Sequence, residues 1–87
     1  MHVAFNQSTI CYLVEAYTPG RTHLFFFRLD QAVPAPGDRK AKERVTNQVE
    51  KHLNHLHRKT GLVYHLVYWS DPVRFTAYLK EKNIELD

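Results

Sequence analysis

The run Gln31-Ala32-Val33-Pro34-Ala35-Pro36-Gly37-Asp38 constrains the fold of this chain more than any other stretch. Two prolines, which clamp φ and carry no N–H, and a glycine together forbid a helix interior or a central strand across it. The chain is divided there, and the two parts read differently.

Before the break, Ile10 to Tyr17 and Thr22 to Leu29 are rich in β-branched and aromatic residues. They flank Thr18-Pro19-Gly20-Arg21, in which proline presets φ at the second turn position and glycine accepts a positive φ at the third. A β-hairpin is predicted. His2 to Phe5 has the composition of a further short strand.

After the break, Asp38 is a good N-cap, and Val45, Val49, Leu53 and Leu56 recur at helical spacing until Gly61, a residue suited to end a helix in the left-handed conformation. Leu62 to Trp69 is apolar at odd and even positions alike, as expected of a strand inside a sheet with both faces covered. Asp71 and Pro72 are a cap and first-turn pair for a second helix, whose apolar face is Phe75, Tyr78 and Leu79 and which fades near Asn83. Ile84 to Leu86 reads as a short edge strand.

The expectation is a single α+β domain over residues 1–87, in the order β-β-α-β-α. It has a small antiparallel or mixed sheet, made of the hairpin plus a third strand, with both helices on one face. The other face would then show aromatics, because Phe25 and Phe27 point opposite to Phe26. A homodimer through this aromatic strand is the simplest way to cover them.

An apolar share of 44% against 24% charged residues is the composition of a folded chain, and 87 residues leave room for one core. A lone cysteine, Cys11, excludes a disulfide-stapled scaffold and points to a reducing, cytoplasmic setting. No run reaches the length of a membrane span, and Met1 to Asn6 lacks the features of a signal peptide.

The net charge of +3 conceals an asymmetry. Between Arg39 and Lys59, seven basic residues face two acids, a local balance of +5 that leaves −2 for the remainder. On a helical projection Ala41, Val45, Val49, Leu53 and Leu56 fall within about 120° of arc. Lys40, Arg44, Lys51 and Arg58 gather on one flank with His55 beside them. From Lys40 to Arg58 this ridge runs about 27 Å at 1.5 Å per residue, long enough to track several phosphates. Its expected partner is a nucleic acid backbone or an acidic protein surface. Zinc-finger spacing, aromatic RNA-binding patterns and a convincing helix-turn-helix are absent from the sequence, so base-specific reading is not indicated and nucleic-acid binding is expected to be backbone-directed.

Three other constellations bear on chemistry. His52, His55 and His57 crowd one stretch, but only His52 and His55 share a face and no further ligands stand near, so neither metal nor cofactor is expected. Cys11 lies among Ile10, Tyr12 and Leu13 and reads as an inert core thiol. The three glycines are isolated, which excludes a phosphate-cradling loop. His23 and His65 lie in two predicted strands, with Arg28 in the first. If those strands pair, two imidazoles and a guanidinium suffice for metal-independent RNA cleavage.

The leading expectation is thus a small non-catalytic binding protein of the regulator or inhibitor type, in the size range of those carried by mobile elements. It engages its partner through Lys40, Arg44, Lys51, His55 and Arg58. The alternatives are a small ribonuclease built on His23, Arg28 and His65, and a homodimeric assembly subunit.

Overall fold

The structure, a computed structural model, describes residues 9–86. The strand expected at His2 to Phe5 lies outside them. The described elements are β1 (Ile10–Thr18), β2 (Arg21–Leu29), α1 (Arg39–Thr60), β3 (Tyr64–Ser70) and α2 (Pro72–Glu81), an α+β fold. The three strands form one antiparallel sheet in the order β2-β1-β3.

The β1–β2 hairpin closes on Pro19-Gly20 with Thr18 opposite Arg21, and its register runs unbroken to Ile10 opposite Leu29. Gly20 sits at φ 81°, the third-position value of a type II turn. β3 pairs with the other edge of β1, but Leu13 faces Tyr68 while Val14 faces Leu66, so Val67 bulges out of the ladder.

The long apolar run Leu62 to Trp69 therefore supplies an edge strand and not an inner one. The centre belongs to β1, where Ile10, Cys11, Tyr12, Leu13, Val14 and Ala16 are all buried. The physical reason lies in the helices. α1 packs its Val45, Val49 and Leu53 against the Ile10, Tyr12 and Val14 face, whereas α2 packs Phe75 against the Cys11 and Leu13 face. This corrects the expectation of two helices on one face: they lie on opposite faces, in a helix–sheet–helix sandwich. A strand apolar on both sides thus reports two covered faces, whatever its place in the sheet.

Local chemistry sets each element. The Asp38 carboxylate accepts from the Ala41 N–H at 3.1 Å to start α1, and Gly61 ends it at φ 80° with its N–H on the His57 carbonyl. The His57 imidazole donates from Nδ1 to the Leu62 carbonyl at 2.8 Å, fixing the turn into β3. Asp71 accepts from the Arg74 N–H at 2.8 Å to start α2. After α2, Asn83 takes φ 54° and the Ile84 N–H bonds back to the Leu79 carbonyl. Ile84 then packs against the Cys11, Leu13 and Phe75 cluster, so Ile84 to Leu86 forms no strand.

Candidate polyanion-binding face

α1 is attached to the sheet along one stripe. Val45, Val49 and Leu53 are the buried residues of a helix of 22, spaced by four so that they stack on one side. Beside them His52 is half-buried, with its Nδ1 2.6 Å from the Tyr12 hydroxyl and its ring edge-on to Phe27 at 4.8 Å. The hydroxyl donates when the His52 proton is on Nε2, and loss of hydration with the nearby His55 holds His52 below the ordinary histidine range. His52 is therefore a core residue and has no part in the exposed face.

That attachment fixes what points outward. Lys40, Arg44, Lys51, His55 and Arg58 are all exposed. Among the described residues, none of the five takes part in a salt bridge; Arg74 with Asp71 at 3.6 Å, on α2, is an ion pair elsewhere. Two features of α1 run against stability. Its first turn holds no acid, and Arg39 and Lys40 stand there with Lys42 close behind. The partial positive charge of a helix N-terminus repels such cations, and the about 0.3–1 kcal/mol that an acid there would contribute is forgone. His57, Arg58 and Lys59 in the last turn are at the favourable end.

A concavity of about 370 Å³ opens on this face, lined by Gln31, Arg44, Asn47, Gln48 and Lys51. Each of these side chains carries an N–H donor, and none is acidic. The sequence reading counted charges and so passed over Gln31, Asn47 and Gln48. A wheel scored for hydrogen-bond donors, not for charge alone, would have found the last two.

The three residues assigned to RNA cleavage are not brought together. β1 stands between the two strands that carry them. His23 lies opposite Ala16 on the α1 side, with Nε2 2.8 Å from the Thr18 hydroxyl and its ring stacked on Phe25. His65 lies opposite Glu15 on the other face, its ring 6.0 Å from that of Tyr17. Arg28 shares the face of His65 but lies opposite Cys11, four residues along β1 from Glu15, roughly 13 Å at strand rise. No single phosphodiester can meet all three. Among the described residues, no three His, Cys, Asp or Glu side chains converge in a way that would hold a metal ion.

The α2 side is aromatic in character. Phe75 packs between Phe26 at 5.3 Å and Tyr68 at 6.2 Å, and Tyr78 stacks on Tyr68 at 4.0 Å. Cys11 is buried there, and desolvation pushes its thiol up despite the Arg28 guanidinium. Trp69, by contrast, packs into the α1-side cluster. Beyond α2, Tyr17 is 52% and Phe26 42% exposed, and the Tyr17 hydroxyl donates to the Glu15 carboxylate at 2.5 Å.

Comparison with protein-family models, with curated proteins and with solved structures finds no match to this chain. None of the helices in the described residues is long and apolar enough to cross a membrane.

Proposed function

We propose that this protein is a non-catalytic binding module that engages a nucleic acid backbone through the solvent face of α1. The observation that carries the reading is the set Lys40, Arg44, Lys51, His55 and Arg58, all exposed along one helix face and none neutralised by an acid of its own among the described residues. A second observation supports it. Cations at the start of α1 oppose the helix dipole, so their placement lowers stability and calls for a use elsewhere. The face is long and continuous, which suits a polymer of evenly spaced phosphates. Such binding releases condensed counterions and weakens as salt rises. The ribonuclease reading has lost its geometric support, since its three residues are held apart.

The test is a titration of labelled mixed-sequence RNA and DNA duplex with purified protein at low and moderate salt, with the strands checked for integrity. Retention that falls with salt, with strands intact, supports the reading. Cleavage that survives a chelator would overturn it, as would an absence of binding at both salts; in the latter case an acidic protein surface becomes the partner to seek.

A further inference from the structure

We infer that the partner is duplex DNA, entered through its major groove, and that Asn47 and Gln48 read base edges there. This rests on the proposed binding face and goes further, since a backbone contact alone carries no sequence preference.

At about 100° per residue, Asn47 and Gln48 fall into the same arc as Lys40, Arg44, Lys51, His55 and Arg58, the whole set spanning about 100°. Every member is exposed and bears an N–H donor, while Glu43 and Glu50 project beyond the edge of the arc. The arc is centred roughly 110° from Val45 and 150° or more from Val49 and Leu53, the three residues that seat α1 on the sheet. The sheet therefore stands mostly behind the helix, while the segment after β2 flanks the stripe at Gln31.

The order along the stripe matters. A straight helix laid in a curved groove comes nearest the bases at its midpoint and nearest the phosphates at its ends. Residue 49 is the midpoint of Lys40 to Arg58. Asn47, Gln48 and Lys51 lie beside it, and cations occupy both ends. Amides in the middle can pair with adenine N6 and N7, and the end cations with phosphates. Gln31 flanks the same central concavity and adds a further amide there.

Shape selects duplex DNA over other nucleic acids. The major groove of B-form DNA, about 12 Å wide, admits an α-helix of about 10–12 Å diameter, whereas that of an A-form RNA helix is too narrow and deep. Single strands are held largely by stacking on aromatic rings, and the stripe offers a single one, the His55 imidazole, with no Phe, Tyr or Trp in α1.

The test begins with selection from a pool of randomised duplexes using the full chain, followed by anisotropy titration of the enriched and a scrambled sequence. The double variant Asn47→Ala, Gln48→Ala is expected to lose about 5- to 150-fold in affinity for the enriched sequence per amide pair removed. Its loss of affinity for the scrambled duplex should be clearly smaller than for the enriched one, with the salt dependence of the wild type. Alanine at two exposed helix positions keeps α1 folded, which helicity by circular dichroism verifies. The companion variant Lys40→Gln, Arg58→Gln should weaken both duplexes alike and reduce the slope of log affinity against log salt by about 2. Salt-dependent binding that enriches no sequence, or that is as tight to single-stranded RNA, overturns this inference and leaves the binding face standing. Absence of binding to every nucleic acid overturns both.

Discussion

The two faces of the sheet are closed by helices of different economy. α2 has ten residues, and its inward side is largely consumed in packing: Phe75 buried, Tyr78 stacked on Tyr68, Leu79 half-buried. α1 has 22 residues and buries three of them fully. One face is covered by a helix made for the core, the other by a helix whose outer side, along the same turns that pack Val45, Val49 and Leu53, carries charge into solvent, and the difference separates the part that only holds the fold from the part also available to a partner.

That comparison can be broken first at Phe75. Phe75→Ala should cost about 3–5 kcal/mol, read by denaturant unfolding. The same variant sharpens it by amide hydrogen exchange, with protection lost in α2 before α1. Equal loss in both helices would mean that the two faces are one cooperative unit.

The α1 face should answer to pH through His52. Its folded-state value lies below the ordinary histidine value of 6.5, so below that pH the unfolded chain takes up a proton the folded chain resists. This contribution to stability is whole above about 6.5 and is lost as pH falls toward the folded value. Tyr12→Phe should cost about 1 kcal/mol at neutral pH by leaving His52 Nδ1 without the hydroxyl. His52→Phe should flatten the acid side of the stability profile, measured by thermal unfolding from neutral to mildly acidic pH. A step that persists in His52→Phe would assign the effect to another group.

Most of the fold was legible because it rests on local chemistry. Asp38, Gly61, Asp71 and the Pro19-Gly20 turn act within a few residues of themselves, and those boundaries came out where the sequence placed them. The placement of the layers was not legible. Ile10 to Val14 and Leu62 to Trp69 are both apolar at every parity, and nothing local says which takes the centre. β1 takes it because Cys11 and Leu13 meet Phe75 while Ile10, Tyr12 and Val14 meet α1, and this depends on contacts far apart in the chain. For the same reason His23 and His65 looked as though they could be brought together: their separation follows from β1 lying between β2 and β3. The cations of α1 were visible as charge. That they form no salt bridge among the described residues, and that Asn47 and Gln48 complete their stripe, appears once the helix is seated.

A smaller effect tests the division of labour directly. Lys40→Glu places an acid in the first turn of α1 and should raise stability by about 0.3–1 kcal/mol while weakening nucleic acid binding. Stability and binding moving in the same direction would contradict the view that these cations serve a partner. Smallest of all, Tyr17→Phe removes the exposed hydrogen bond to Glu15 and should change unfolding free energy by less than about 0.5 kcal/mol.

The most direct test of the account is the slope of log affinity against log salt for a mixed-sequence DNA duplex. It should be measured on the wild type and on the variant with Lys40, Arg44, Lys51 and Arg58 all replaced by glutamine, after unfolding curves show both to be folded. The account predicts a steep negative slope for the wild type, reduced by about 3 to 4 in the variant as four phosphate contacts are lost. Equal slopes, or equal affinity at low salt, would show that the ridge on α1 is not the binding face.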